Sequence, residues 1–334
     1  MMRRLARRLA WSAFVVWATV TLAFVVSNVL PQDPARMIAG AQARPKDVER
    51  VRAQLGLDRP LYVQYTTFLR RLVHVGPALG ASRPEAHATC GGAGPLHVDL
   101  GKSYQKRKAV VALISDALPR TLFLAATATL LQLVLGVASG TIAAAKRGTV
   151  WDRGTVAVTL LGISVPTYMI GILLQWVFAD RLRLLPLDGY GRTPLEHVTS
   201  VILPATTLGI FGAAWYTRLV RDEMIELLHQ DHVRTARAKG AGRLAVVVRH
   251  ALRNALVPLV TVVALDFGGL LGGAIVTESV FRWPGLGSLG VGAVLDRDGP
   301  VILGSVLVTA IVVVVMSLAV DLAYPLLDPR VRAR

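Results

Sequence analysis

Six stretches of this sequence are apolar over the roughly 17–25 residues a helix needs to cross about 30 Å of hydrocarbon. They lie at about 10–30, 121–145, 155–179, 200–216, 255–276 and 301–324, the fourth being the shortest and carrying Pro204 near its start. A soluble chain cannot hide six such helices, because a compact domain needs a polar shell in which about a quarter of all residues are charged. Here 53% of 334 residues are hydrophobic and only 17% charged. The expected fold class is an all-α integral membrane protein with about six transmembrane helices, and a water-soluble enzyme is excluded. An even number of crossings puts both termini on one side.

Lysine and arginine identify that side, because short cytoplasmic segments retain positive charge. Arg3, Arg4, Arg7 and Arg8 precede the first stretch, and Lys146, Arg147 and Arg153 follow the second. Eight more lie in 217–254, and Arg330, Arg332 and Arg334 close the chain. The opposite short segments, 180–199 and 277–300, hold three and two. Both termini are therefore expected in the cytoplasm. Segment 31–120 holds fourteen, but long external loops largely escape the rule. The formal net charge of +16 does not indicate nucleic acid, since the basic residues sit between apolar runs and no basic run is interleaved with aromatics. Ala41-Gln42-Ala43 has the form of a cleavage site, yet it follows the end of an apolar run about twenty residues long by more than ten. A secretory h-region is ~7–15 residues with its site close behind, so residues 1–30 are expected to remain as an anchor.

Segment 31–120 is the larger external element. Pro45 to Leu55 has Val48, Val51 and Leu55 on one helical face, with Gly56 at the C′ position. Pro60 suits a first helical position, followed by Leu61, Tyr65, Phe68, Leu69 and Leu72 at helical spacing. Residues 75–97 hold five Gly and three Pro without periodicity and are expected to be a flexible loop. His87, Cys90 and His97 fall in it but match no zinc spacing, so no metal is expected. As the single cysteine, Cys90 excludes an internal disulfide.

On the cytoplasmic side, 217–254 contains Arg234-Thr235-Ala236-Arg237-Ala238-Lys239-Gly240 and then His250-Ala251-Leu252-Arg253-Asn254. Small alanines permit close approach by a partner, and Gly240 with Gly242 allows a sharp turn between two helices. A solvated basic loop would satisfy the same charge rule. Gly101-Lys102-Ser103 is not a P-loop, because Leu96 stands where its first glycine belongs. Gly285-Leu286-Gly287-Ser288-Leu289-Gly290 follows Trp283-Pro284 and not a strand, so it is no dinucleotide site. No catalytic constellation is present. Asp266 lies near the middle of the fifth stretch, where an ionised carboxylate costs roughly 2.5–3.5 kcal/mol on insertion scales. It is either a pathway residue or a structural hydrogen-bonding partner of a neighbouring helix. Gly268, Gly269, Gly272 and Gly273 make a smooth face suited to tight helix packing at a subunit interface.

These residues converge on a family. Arg234–Gly240 with His250–Asn254 resembles the cytoplasmic coupling loop of ABC-transporter permeases of the dipeptide/oligopeptide/nickel importers. The stretch from Gly272 to Phe281 followed by Trp283-Pro284-Gly285-Leu286-Gly287 is similar to that family's fifth span and external turn. Arg297-Asp298-x-Pro300-Val301-x-x-Gly304 and Leu327-Asp328-Pro329-Arg330 resemble its closing motifs. Leu55-Gly56-Leu57-Asp58-x-Pro60 with Gln64-Tyr65, and Asp99-Leu100-Gly101-x-Ser103, resemble the B-type permease of the pair. Where the general permease loop opens Glu-Ala-Ala, this chain has Arg234, Thr235 and Ala236, as is usual in the peptide branch, and 75–97 looks like an insertion.

The resemblance implies a type I ABC importer permease of the bacterial plasma (inner) membrane, half of a translocation pathway. Its divisions would be an anchor helix (1–30), an external helical segment (31–120) and a five-helix permease core (121–330) with the coupling loop at 217–254. Its partners would be a second, C-type permease, two cytoplasmic ATPase subunits or domains, an external solute-binding protein and membrane lipid. ATP and Mg²⁺ would be held by the ATPases, leaving no cofactor and no catalysis to this chain. Arg234, Thr235, Ala236, Lys239 and Gly240 would dock the ATPase, and Asp266 would line the pathway. Peptides are the implied substrate class, with nickel or another small solute as the alternative. An ion-coupled secondary transporter would show internal inverted repeats, which are not apparent.

Overall fold

The computed structural model describes residues 2–29, 34–40, 42–75, 89–93 and 96–327. Its helices are α1 (Met2–Val29), α2 (Pro34–Ala39), α3 (Pro45–Leu55), α4 (Leu61–Leu72), α5 (Val110–Ala145), α6 (Val150–Ser164) and α7 (Thr167–Leu174). They continue as α8 (Pro194–Leu227), α9 (Asp231–Ala238), α10 (Arg243–Ala245), α11 (Arg253–Gly273), α12 (Ile275–Val280), α13 (Leu286–Leu295) and α14 (Gly299–Leu327). Three strands, β1 (Val73–Val75), β2 (Cys90–Ala93) and β3 (Leu96–Asp99), lie between α4 and α5. The chain divides into Met1–Arg120 with Gly285–Ile311, and Thr121–Pro284 with Val312–Arg334. Anchor and external segment thus form one unit, and Gly285–Ile311 joins them instead of the 121–330 core. His87 and the closing Asp328-Pro329-Arg330 lie outside the described residues.

In the first unit the stretch of α1 from Arg7 to Val26 is apolar enough to span a membrane, with Trp11, Phe14, Trp17 and Leu22 exposed, as befits a lipid-facing helix. Its buried side meets the apolar face read in 61–72: the Phe24 ring lies 5.2 Å from Tyr65 and 5.9 Å from Phe68, and Thr21 Oγ1 and Tyr65 Oη share a 2.6 Å hydrogen bond. Helix α3 ends as expected, with Gly56 at φ 68° and the amides of Gly56 and Leu57 bonded to Ala53 O and Arg52 O. The stretch expected as a loop over 75–97 is in part a sheet, of order β1-β3-β2 and antiparallel throughout. Its glycines mislead because one of them serves close approach: a Cβ at Gly91 would stand 2.3 Å from Val111 Cγ1. The core of this unit joins Val20, Leu100, Val110, Ile114, Leu286, Val301 and Leu307. Gly304 is required there, since its Cβ would come within 2.6 Å of Val110 Cγ1.

The second unit is built around α8, which packs on α6, α7, α11 and α12. Among the described residues of both units, four helices are long and apolar enough to cross a membrane unbroken, and two bent pairs raise the total to six if each is one span. One pair corrects the expected straight span over 155–179: α6 and the helix from Thr167 to Arg181 meet at 101°. The cause is Val165-Pro166. The residue before proline is driven out of the helical region, and Val165 takes φ −89°, ψ 127°. The other pair, Val246–Leu256 and Pro258–Leu271, bends by 49° at Pro258. Helix α8 carries the shortest apolar stretch of the sequence, yet it is the most internal of the four unbroken spans among the described residues, because small residues let neighbouring helices approach. Cβ atoms at Gly136, Gly140 and Gly212 would lie 2.4 Å from Tyr216 Cβ, 2.7 Å from Thr217 O and 2.3 Å from Gln132 Cδ respectively.

Candidate functional site

The 217–254 segment forms a short helix and turn on a buried seat. Val220 and Met224 of α8, Val247 and Ala251 of the π-helical run Val246–Leu252, and Ala255 and Leu259 of α11 share one core. Helix α9 packs on that run, turning Val233 and Ala236 inward. The remaining face is exposed and carries Arg234, Thr235, Arg237 and Lys239. Of the five residues expected at a partner surface, Ala236 is therefore covered by its own chain. Arg234 approaches Asp231 at 3.7 Å, but both side chains are largely exposed, so the pair contributes little and leaves the face cationic.

Gly240 ends α9 with defined geometry. Its amide donates to Arg237 O at 2.9 Å and the Ala241 amide to Ala236 O at 3.1 Å, the two bonds of a Schellman cap. Gly240 takes φ +85° and has nothing within 4 Å of a would-be Cβ. Backbone conformation alone therefore favours glycine here. Behind the turn a cavity of about 390 Å³ is lined by Ala145, Leu228, Arg237, Ala241, Val246 and Val247.

Asp266 is half-buried on α11 and accepts a 2.9 Å hydrogen bond from Tyr216 Oη of α8. A structural partner for the intramembrane carboxylate is thus present. The glycines expected to pack tightly do not do so within this chain where they can be described. A Cβ at Gly268 would make ordinary contact with Met316 at 3.5 Å, and one at Gly269 would meet nothing within 4 Å. The side-chain surroundings of Gly272 and Gly273 lie outside the described residues.

Three polar sites were not foreseen. Asp152 at the start of α6 takes two bonds from Arg221, 2.7 Å from Nε and 3.2 Å from Nη2, and a third from the Gly148 amide at 2.9 Å, tying α6 to α8. Glu278 is fully buried and accepts from Thr121 Oγ1 at 2.6 Å. Asp298 accepts from Ser103 Oγ at 2.5 Å and from the amides of Tyr104 and Gln105 at 3.2 and 3.3 Å. Burial, with the Asp298 carboxylate beside it, pushes the Tyr104 phenol up. Ser103 and Asp298 each belong to a motif visible in the sequence; only their meeting was hidden.

The turn after α12 shows a residue out of its preferred conformation. Arg282 sits at φ 46°, with its amide bonded to Ser279 O at 3.3 Å and that of Trp283 to Glu278 O at 2.8 Å, so it occupies the usual glycine place of a Schellman cap. Its 3.4 Å pair with Asp188 is largely exposed and worth little. Arg282→Gly is therefore expected to raise the melting temperature of the purified protein slightly, by the equivalent of up to about 1 kcal/mol. A fall in melting temperature would show that the ion pair outweighs the strain.

Comparison with known proteins bears on this arrangement. Residues 136–333 match the family model of the binding-protein-dependent transport system inner membrane component, and residues 1–125 match the N-terminal model of such components. A peptide transport system permease named from Brucella abortus (strain 2308) is 37% identical over 329 residues, covering 98% of each chain. The glutathione transport system permease protein GsiC of Escherichia coli (strain K12) is 37% identical over 332 residues, 99% of each chain. Among solved structures, a chain of the inward-facing MetNI methionine ABC transporter aligns with TM-score 0.56 at 17% identity, over 66% of this chain and 98% of that one. That likeness concerns the fold, a type I ABC importer permease.

Proposed function

This chain belongs to the binding-protein-dependent transport system inner membrane component family, a permease of the bacterial inner membrane that works with ATPase and other subunits, and we propose that it imports peptides. The observation that carries the substrate class is 37% identity over nearly the whole length to permeases named for peptide and glutathione transport. In this reading it is the B-type half of a pathway completed by a second permease. Two cytoplasmic ATPase subunits or domains drive it, and an external solute-binding protein delivers to it. ATP and Mg²⁺ belong to the ATPases, and this chain catalyses nothing.

The exposed cationic face of α9, with Arg234, Thr235 and Lys239 ahead of the Gly240 turn, is the docking surface for an ATPase groove. Helix α9 packs on the Val246–Leu252 run, which shares an apolar core with α8 and α11, so it moves with them. Nucleotide-driven closure of the ATPases would thereby reach the membrane helices as a rigid displacement, because packed cores switch and do not deform continuously. Asp266 supplies a charge to the pathway lining. Asp266→Asn keeps an acceptor for Tyr216 and removes only the charge, so uptake should fall while yield and melting temperature hold. Unchanged uptake would leave Asp266 a structural residue.

The substrate class is tested by uptake in cells expressing the chain with its partner subunits. A labelled dipeptide or tripeptide should accumulate and be competed by unlabelled peptide, glutathione included, and not by nickel. Accumulation of nickel without peptide competition would replace peptide by the metal as substrate.

A further inference from the structure

The small sheet in the first unit brings together three side chains that no transport role explains. His74 on β1 and His97 on β3 are directly opposed Cα partners. Cys90 on β2 pairs with Asp99, two residues along β3 from His97, which puts Cys90 on the same face as both histidines. One ligand atom from each of His74, Cys90 and His97 lies within 4.8 Å of the other two, and Cys90 and His97 are buried while His74 is half-exposed. Cys90 Sγ and His74 Nε2 are 3.5 Å apart. Two ligands at ~2.3 Å (sulfur) and ~2.0 Å (nitrogen) from a tetrahedral zinc ion are themselves about 3.5 Å apart. The observed edge already has that length.

The histidine tautomer agrees. His74 Nδ1 lies 3.1 Å from Arg71 O. A carbonyl can only accept, so Nδ1 carries the proton and Nε2 turns its lone pair toward Cys90. A ligating histidine commonly has this second interaction, its other nitrogen donating to a backbone carbonyl and fixing the ring. The sheet itself has a need that a metal would meet. Strands of three and four residues make a marginal sheet, and β2 is Cys-Gly-Gly-Ala, with little side chain to pack.

The geometry points to a divalent zinc-class cation held by His74 Nε2, Cys90 Sγ and a ring nitrogen of His97, fastening β1, β2 and β3 to one another. Sulfur with two imidazoles favours a borderline transition ion over calcium or magnesium, and binding would release the Cys90 thiol proton. The three ligands come from sequence positions that give no zinc spacing, which is why 75–97 reads as metal-free from the sequence. The fourth position is left to water on the side where His74 is exposed.

The test uses the full-length chain in detergent, stripped with chelator and titrated with Co²⁺ and Zn²⁺. One equivalent of Co²⁺ should bind with a thiolate-to-cobalt charge-transfer band and tetrahedral d–d bands. Cys90→Ser should abolish the charge-transfer band, and His74→Ala should weaken binding by about tenfold or more. His197→Ala, outside the sheet, should change neither. No variant is needed for a second readout, because Cys90 is the single cysteine: Zn²⁺ should slow its alkylation in the native chain, and chelator should restore the rate. Absence of the charge-transfer band, or Cys90 alkylation indifferent to Zn²⁺, would overturn the site and leave a thiol–imidazole hydrogen bond only.

Discussion

Replacing Gly240 by valine is expected to cut ATP-driven uptake about tenfold or more while the protein still reaches the membrane. The left-handed conformation costs an L-residue roughly 1–2 kcal/mol, and a β-branched side chain more. At φ +85° with open space around the Cβ position, that cost is purely one of backbone conformation. The chain escapes it by abandoning the Schellman cap. The bonds from Gly240 to Arg237 O and from Ala241 to Ala236 O are then lost, and α9 no longer presents Arg234 and Lys239 at a fixed angle. Gly240→Asn should keep most transport, because asparagine tolerates the left-handed region. Reconstituted proteoliposomes holding the whole transporter separate the possibilities. Valine should leave ATP hydrolysis running without uptake, whereas full uptake in the valine variant at normal expression would contradict a docking role for this turn.

Gly140→Val is expected to damage folding severely. A Cβ there would stand 2.7 Å from Thr217 O and 2.9 Å from Val220 Cβ, so α8 backbone must move. Overpacking of this kind costs typically 1–3 kcal/mol and more where backbone is involved. The displacement would also break the 2.6 Å hydrogen bond between Ser139 Oγ and Thr217 Oγ1 alongside. Yield of monodisperse protein should fall several-fold and the melting temperature should drop. Gly154→Ala is the control, since nothing lies within 4 Å of that position on α6 and alanine favours a helix by up to about 1 kcal/mol. A wild-type melting temperature for Gly140→Val would show that α5 and α8 do not approach as described.

The apolar spans and the α9 turn were legible because both rest on local rules: hydropathy over one helix length, and glycine after a basic helix end. The break at Val165-Pro166 is equally local and follows from the proline rule, although the apolar run continues across it. Packing was less legible. Gly-x3-Gly occurs at Gly136/Gly140 as well as at Gly268/Gly272, and the pattern does not say which smooth face its own chain covers. The structure covers the first, and Gly269 stays open. Ser103 with Asp298 and Asp152 with Arg221 are separated by 195 and 69 positions, so no spacing rule could join them. His74, just outside the glycine-rich stretch, reaches Cys90 and His97 only through strand register.

That this permease delivers solute only as part of an ATP-driven assembly is tested most directly by purifying it, tagged, from its native host in mild detergent and counting what comes with it. A second multi-span permease and two copies or domains of an ATPase should co-purify in fixed ratio. Recovery alone or as a homo-oligomer, with uptake in liposomes driven by an ion gradient and indifferent to ATP, would contradict the assignment.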